Sequence, residues 1–442
     1  MACVVLIIPP GRYSTALHYD RYVRTPLEGV TALGGVLQQH KHDVLVIDCR
    51  GNSGPLEDFV VASLPPSPAI IGFTTFFDSF RFVESCVPLL RRVRPKALIA
   101  VGGPLATGAP GPFLTHAHVD IVVRGEGERA LLAIADAVDG NASVWGVPGT
   151  LQQSQGGEIV DHGPVAIVED LDELPDVDWT YAGARLAQGG FDFMYSVGRG
   201  CQQRCTYCSR PLGRRRFRSP QKVRRELDYL HSRYGMNSVI LNDSDLVYEN
   251  PELDSYVGAL HGIGVQWGCF TGPRGLSVEL LARLHACGCT NLRVGIEALD
   301  EGMITRHRPD YSLTDMLRTL DLLDAGPIEK VTCYFLLGLP GQTERSLDMI
   351  LSGLQRYPRL VPRPFYLIPM PGTVVFEDAV RCGLVESTTA YLRRLHGVPI
   401  DAVSDRLPHL ADASRLRIAD VYVQLVRLAV ARSGSADCPI LP

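Results

Sequence analysis

Lysine is scarce in this chain: only Lys41, Lys96, Lys222 and Lys330 stand among 43 basic residues, and arginine supplies the rest. That bias is more readily explained by a GC-rich genome than by function. An excess of one charge is missing too, since 48 acidic residues leave a formal net charge of −5 over 442 residues, with no long run of either sign. Composition therefore gives no nucleic-acid or membrane-surface footprint, and a small molecule is the expected partner. No apolar stretch approaches the roughly 20 residues of a membrane span. Met1-Ala2-Cys3 leads straight into a strand-like run rather than through a basic and then apolar leader, so the chain reads as cytoplasmic. Twelve cysteines spread over so long a chain read as reduced thiols, not as a disulfide framework.

What the chain does have is three cysteines on one short loop, Gly198-Arg199-Gly200-Cys201-Gln202-Gln203-Arg204-Cys205-Thr206-Tyr207-Cys208, entered from the apolar run Phe191 to Val197. The spacing Cys-x-x-x-Cys-x-x-Cys lets three thiolates hold three corners of an iron-sulfur cubane and leaves the fourth iron open to a ligand. The alternatives are a zinc site or three unrelated buried thiols. Zinc wants a fourth Cys or His nearby, and neither occurs between Gly200 and Gly213. The spacing, the glycines ahead of it and the aromatic Tyr207 before the third cysteine resemble the signature of the radical S-adenosylmethionine (radical SAM) superfamily. That resemblance implies a four-iron four-sulfur cluster on Cys201, Cys205 and Cys208, with SAM chelating the open iron through its amino and carboxylate groups.

Upstream, strands are expected at Val4 to Ile8, Val44 to Asp48, Ala69 to Phe73, Ala97 to Val101 and Ile121 to Val123. They alternate with helices at Pro26 to Gln39, Ser79 to Val93 and from Gly125-Glu126-Gly127-Glu128 through Ala137. This alternation predicts an α/β, Rossmann-like, doubly wound parallel sheet whose ligands sit beyond the carboxyl ends of the strands. Pro9-Pro10, Pro26-Leu27-Glu28-Gly29, Val46-Ile47-Asp48, Ile71-Gly72-Phe73, Val101-Gly102-Gly103-Pro104 and Arg124-Gly125-Glu126-Gly127-Glu128 follow the order of the cobalamin-binding domain of one radical SAM branch. The resemblance covers residues 1–140 and implies that fold. Cobalamin itself stays open: no Asp-x-His-x-x-Gly segment supplies an imidazole to cobalt, and Phe76-Phe77 stand in the loop where a corrin ring needs space. A Rossmann-like domain kept for packing alone is the alternative.

Residues 141–190 read as a connection with room for a small hairpin, and Leu171-Asp172-Glu173-Leu174-Pro175 resembles the lead-in to the barrel in this branch. Across residues 191–380, strands are expected at Met194 to Val197, Ser238 to Leu241, Val265 to Phe270, Asn291 to Ile296, Lys330 to Leu336 and Pro364 to Ile368. Helices at Pro220 to Tyr234, Leu253 to His261, Ser277 to Cys287, Thr314 to Asp324 and Arg345 to Tyr357 lie between them. These six units resemble the partial (β/α)6 barrel of radical SAM enzymes, and barrel sites lie at the carboxyl ends of the strands. Those ends carry Asn242, Asp243 and Asp245; Arg274; Glu297 in Val294-Gly295-Ile296-Glu297-Ala298; and Gly338, Pro340 and Gly341 in Leu337-Gly338-Leu339-Pro340-Gly341-Gln342-Thr343. The sixth is followed by Pro369-Met370-Pro371-Gly372-Thr373. By resemblance, an acid near Asp243 meets the SAM amino group, Arg274 lies near SAM, Glu297 accepts from the ribose hydroxyls, and the Gly338 turn shapes the adenine end. A plain polar turn is the alternative for Asn242 to Asp245. Arg214-Arg215-Arg216 divides between an anion grip and a solvated basic turn. Cys287-Gly288-Cys289 reads as packing around a helix cap, and residues 381–442 as a helical cap on the barrel.

The resemblance implies one-electron reduction of SAM, supplied by an external flavodoxin- or ferredoxin-type donor, and a 5′-deoxyadenosyl radical that takes hydrogen from a small-molecule natural-product intermediate. Two reactions follow. With cobalamin bound, methylcobalamin donates a methyl group to an unactivated carbon. With the front domain empty, a vicinal diol loses water, as in the radical SAM dehydratase of aminoglycoside biosynthesis, whose product passes to a nicotinamide-dependent reductase. The compact chain, Phe76-Phe77 and the carboxylates at the barrel mouth tilt the expectation toward dehydration. A non-catalytic cobalamin or SAM sensor is a third reading, which leaves the cluster loop without a purpose. Tyr207, Tyr248 and Glu249 are the positional candidates for a catalytic acid or hydrogen donor.

Overall fold

The computed structural model describes residues 1–11, 26–52, 54–165, 167–186, 193–209, 213–247, 253–398 and 403–433. The chain forms two compact units: one contains the first strand, Leu27–Ala182 and Pro369–Val398, the other Gly183–Ile368 and the last helix.

The first unit is a seven-stranded sheet in the order β2-β1-β3-β4-β5-β6-β7. β1 (Cys3–Ile8), β2 (Asp43–Asp48), β3 (Ile70–Thr74), β4 (Leu98–Gly102) and β5 (Ile121–Val123) run parallel. β1 and β3 are apolar runs rather than alternating patterns because helices cover both faces of such a sheet. Leu6, Ile8, Ile70 and Ile121 pack there with Leu37, Leu131 and Ile134 from the helices Glu28–Gln39 and Glu128–Asp139. The connection holds a hairpin, β6 (Thr150–Gln153) with β7 (Ile159–Asp161), which extends the sheet antiparallel to β5.

The stretch expected to cap the barrel, 381–442, divides between the units. The helix Thr388–Leu395 buries Thr389, Tyr391, Leu392 and Leu395 and contacts the helix Phe80–Val93, with Arg393 paired to Glu84 at 2.5 Å. Its amphipathic spacing therefore serves the first unit. The helix Arg415–Ser433 buries Ile418, Val421, Leu425 and Ala429 and packs on the last barrel strand.

The second unit holds β8 (Phe193–Tyr195), the hairpin β9 (Gly198–Cys201) and β10 (Gly213–Phe217), then β11 (Ser238–Leu241), β12 (Gln266–Thr271), β13 (Cys289–Glu297), β14 (Lys330–Leu337) and β15 (Val361–Tyr366). Six of these form an all-parallel sheet in the order β15-β14-β13-β12-β11-β8, the open partial barrel that the spacing predicts. Along β13 and β14, Leu292, Val294, Ile296, Val331, Cys333, Phe335 and Leu337 are sealed beneath the helices, while Arg293, Gly295, Glu297, Tyr334 and Leu336 alternate with them on a half-buried inner face. β15 begins at Val361, earlier than expected, because Pro362 and Pro364 disguise it; an edge strand tolerates both prolines. The β9–β10 hairpin and the helix Glu301–His307 are further elements outside the expected set. No helix among the described residues is long and apolar enough to cross a membrane.

Candidate active site

Two glycines set the path of the cysteine loop. β9 runs so close to β10 that a Cβ on Gly198 would stand 2.7 Å from the Arg216 carbonyl oxygen, and one on Gly200 would stand 2.5 Å from that of Arg214. Gly200 also has φ +92°, in the region glycine enters without strain. Cys201 ends β9 opposite Gly213, and Cys205 and Cys208 follow; all three thiols are free and half-buried.

The loop is clamped from the segment that follows β13. The Thr206 N–H donates to the His307 carbonyl at 3.1 Å, the Thr206 hydroxyl lies 2.7 Å from His307 Nδ1, and His307 Nε2 lies 2.9 Å from the Pro340 carbonyl oxygen. A carbonyl only accepts, so Nε2 carries a proton, and Nδ1 pairs with a hydroxyl that can donate or accept. One imidazole, 2% exposed, thus joins the cysteine loop to the turn after β14. Asp310 adds a second clamp by accepting from the Arg204 N–H at 2.8 Å and from its guanidinium at 3.1 and 2.8 Å.

The acids after β11 face the loop as well. Asp243 accepts from the N–H groups of Val197 and Gly198 at 3.0 and 2.6 Å, fastening the strand that delivers the cysteines. Asp245 accepts from the Thr271 hydroxyl at 2.9 Å and the Gln203 amide at 3.0 Å, with the Arg215 guanidinium at 3.8 Å. Both carboxylates are buried. Asn242 continues β11, its N–H donating to the Tyr195 carbonyl at 2.8 Å. Arg214-Arg215-Arg216 is therefore no solvated turn: it forms β10, and Arg215 and Arg216 are turned inward.

Glu297 stands at a bulge where the register between β13 and β14 shifts, with φ +68°. Burial pushes its carboxyl above the usual range, against the pull of Arg308 and a hydrogen bond with Tyr207. Burial, reinforced by the Glu297 charge, pushes the Tyr207 phenol well up. Arg308 donates to the Gly295 carbonyl and, at 3.3 Å, to Gln203, and it lies 4.3 Å from the centroid of the Tyr311 ring. Arg274 lies 5.1 Å from that same centroid. After β14, Gly338 (φ +87°) and Gly341 (φ +77°) shape the turn. Gln342 is fully buried, accepts from the Gly338 N–H at 2.7 Å and donates to the Leu336 carbonyl at 3.3 Å. An amide can do both and a carboxylate cannot, which accounts for Gln at this position.

The structure thus gathers Cys201, Cys205, Cys208, Tyr207, Asp243, Asp245, Arg274, Glu297 and Pro340 into one network within the second unit. Tyr248 and Glu249 lie outside the described residues. Sequence reasoning missed His307, Arg308, Asp310 and Tyr311. The available signal was the dense polar and aromatic run from Arg306 to Tyr311 in a strand-to-helix connection, where functional residues concentrate. Three thiols on a doubly clamped loop fit the donor set of a cubane; burial raises the Cys205 thiol above its ordinary range, against the pull of the Arg308 charge. Among the described residues no three His, Cys, Asp or Glu side chains are grouped to hold a single metal ion.

In the first unit the strand order reverses between β1 and β3, and ligands of such sheets lie at that crevice. The loop after β3 is built tightly: the Thr75 N–H and hydroxyl both donate to the Gly102 carbonyl, at 2.8 and 2.7 Å, and Gly103 (φ +97°) would place a Cβ 2.8 Å from the Thr75 backbone. Phe77 is folded into the unit, which leaves only Phe76 half-buried in this loop. Pro371 of the Pro-Met-Pro-Gly-Thr segment packs here as well, against Gly108.

The radical SAM superfamily model matches residues 195–352, and the B12-binding domain model matches residues 22–135. An uncharacterized methyltransferase of Pyrococcus horikoshii is 23% identical over 396 residues, covering 86% of this chain and 84% of that protein. The anaerobic magnesium-protoporphyrin IX monomethyl ester cyclase of Rubrivivax gelatinosus is 25% identical over 344 residues, which is 73% of this chain and 60% of the cyclase. Among solved structures, the radical SAM methyltransferase TsrM of Kitasatospora setae, with tryptophan and a SAM analogue bound, aligns with TM-score 0.70 at 17% identity over 86% of this chain and 77% of its own. The cobalamin-dependent radical SAM enzyme OxsB with aqua-cobalamin bound aligns with TM-score 0.69 at 15% identity over 98% of this chain and 62% of its own. These likenesses extend the shared fold through both units.

Proposed function

From the premise that this chain is a radical SAM enzyme with a B12-binding-type domain ahead of its barrel, we propose that it is a cobalamin-dependent methyltransferase acting on a small-molecule intermediate. The observation that carries the reading is the front unit. Its β2-β1-β3-β4-β5 order puts a switch point between β1 and β3, where ligands of such sheets lie, and residues 22–135 match the B12-binding domain model. A methyltransferase relative that aligns along most of both chains supports the same choice.

When bound, the cluster and SAM supply a 5′-deoxyadenosyl radical, and cobalamin supplies a carrier for the methyl group. The chain's own residues hold the parts in place. Cys201, Cys205 and Cys208 ligate the cluster, and His307, Asp310 and Asp243 fix the loop that presents them. Glu297 offers an acceptor for the SAM ribose, Arg274 and Arg308 offer positive charge beside it, and the Gly338–Gly341 turn offers backbone to the adenine. Tyr207 hydrogen-bonds Glu297 and acts as a positioning residue. An external flavodoxin- or ferredoxin-type protein supplies the electron.

Diol dehydration takes second place. It drew on carboxylates at the barrel mouth to bind a polycationic sugar, whereas Asp243, Asp245 and Glu297 already accept from protein donors. The test is anaerobic reconstitution with iron and sulfide, with and without hydroxocobalamin, followed by desalting and a visible spectrum. The reading expects stoichiometric retained corrin beside the cluster band. A cluster that forms and cleaves SAM without retained corrin would overturn it in favour of dehydration.

A further inference from the structure

The inner face of the barrel carries three stacked aromatic rings from three different strands. Phe270 of β12 and Tyr334 of β14 have ring centroids 5.8 Å apart at an interplanar angle of 28°, and Tyr334 and Phe365 of β15 are 5.7 Å apart at 13°. β12 and β14 are not neighbours: β13 lies between them, so their backbones are about 9.6 Å apart from the ordinary strand spacing. On β13 the register partner of Tyr334 is Gly295 and that of Phe270 is Arg293, so the two rings meet across the intervening strand. Guanidinium groups flank the ladder at both ends, Arg293 at 5.3 Å from the Phe270 centroid and Arg363 at 5.5 Å from that of Phe365. All five side chains are half-buried, on the same alternation that brings Glu297 to the inner face. Deeper on this face, Asn291 buries a side-chain carbonyl oxygen that has no hydrogen-bond partner.

Resting on the reading of this chain as a small-molecule methyltransferase, we propose that this ladder is its substrate-recognition surface and that the substrate is a planar, unsaturated or aromatic acid bearing a carboxylate or phosphate. Each part of the surface selects for one property of that class. Half-buried rings favour a flat ligand, through offset or edge-to-face contact. A guanidinium offers five donors in a planar fork, so it can serve the protein and engage an anion together. The buried Asn291 oxygen accepts from an N–H or O–H at the ligand's far end. Gly295 ties this surface to the cofactor side of the site, because a Cβ there would lie 2.9 Å from Glu297 Oε1.

The test uses the reconstituted full chain and one ring system in three charge states: 2-naphthoate, neutral 2-naphthamide and cationic 2-(aminomethyl)naphthalene, with cyclohexanecarboxylate as the non-planar acid. Binding is read by calorimetry under anaerobic conditions. The proposal expects naphthoate to bind about tenfold or more tightly than the amide, and more tightly than cyclohexanecarboxylate. Arg293→Gln and Arg363→Gln should shrink the preference over the amide, while Tyr334→Leu should weaken acid and amide alike; the cluster absorbance of each variant reports that it has folded. Naphthoate binding no tighter than the amide, or tighter binding of the cation, overturns the proposal. Retained corrin with either result leaves the methyltransferase reading standing and removes only the substrate class. Naphthoate selectivity in a protein that retains no corrin does the reverse.

Discussion

Replacing His307 by Ala removes one buried imidazole that makes two hydrogen bonds, to the Thr206 hydroxyl at 2.7 Å and the Pro340 carbonyl at 2.9 Å. Each such bond contributes about 1 kcal/mol net, and each buried partner left unsatisfied costs about 1–3 kcal/mol. Relaxation of the Thr206 hydroxyl offsets part of that, so a loss of roughly 3 kcal/mol is expected. For a unit of this size it lowers the melting temperature by roughly 6–12 °C. Function should suffer beyond the stability loss, because the imidazole joins the loop carrying Cys205 and Cys208 to the turn assigned to the adenine of SAM. The assay is anaerobic calorimetry of reconstituted protein, together with iron and sulfide content and the apparent affinity for SAM. His307→Gln, which keeps one of the two bonds, should fall between wild type and Ala on all three readouts. If His307→Ala melts within 2 °C of wild type, by the same roughly 2–4 °C per kcal/mol, and binds SAM equally well, the imidazole is not a clamp and the reasoning fails.

Gly200→Ala places a Cβ 2.5 Å from the Arg214 carbonyl at φ +92°, so β9 and β10 must separate, and iron content after reconstitution should fall severalfold. Arg204→Gln should cost no more than about 1 kcal/mol, because its side chain is 69% exposed and such pairs contribute little; a loss of several kcal/mol by chemical denaturation would show the Asp310 clamp to be undervalued. Burial raises the Glu297 carboxyl, so its ionised, ribose-accepting form is lost as pH falls through a value above the ordinary carboxyl range of about 4.3. SAM affinity should weaken over that interval and be flat with pH in Glu297→Gln; an identical pH profile in the variant would assign the titration elsewhere. Cys205→Ala should abolish SAM cleavage, and retained production of 5′-deoxyadenosine would remove it from the cluster.

Local pattern made the two α/β sheets and the cysteine loop legible, because buried parallel strands read as apolar runs and their ends carry glycines. It failed where tertiary contact overrode it. β15 was shifted by two prolines that only an edge strand accommodates, and β10 was hidden because a run of three arginines reads as solvated until Asp245 is known to lie across from Arg215. The His307 and Asp310 clamps act over about 100 residues of sequence separation, for which no local signal exists. The aromatic ladder was invisible for the same reason: Phe270, Tyr334 and Phe365 are single residues on three strands, far apart in sequence. The acids at strand ends were expected to meet SAM; the hydrogen bonds show Asp243 and Asp245 bracing the cysteine loop.

The central claim is most directly tested by the fate of SAM. Reconstituted protein with and without cobalamin is supplied with reductant and SAM, and the nucleoside products are separated and counted. Methyl transfer requires that SAM lose its methyl group, so the account predicts S-adenosylhomocysteine, dependent on cobalamin and accompanied by 5′-deoxyadenosine. 5′-Deoxyadenosine alone, in equal yield whether or not cobalamin is present, would contradict it.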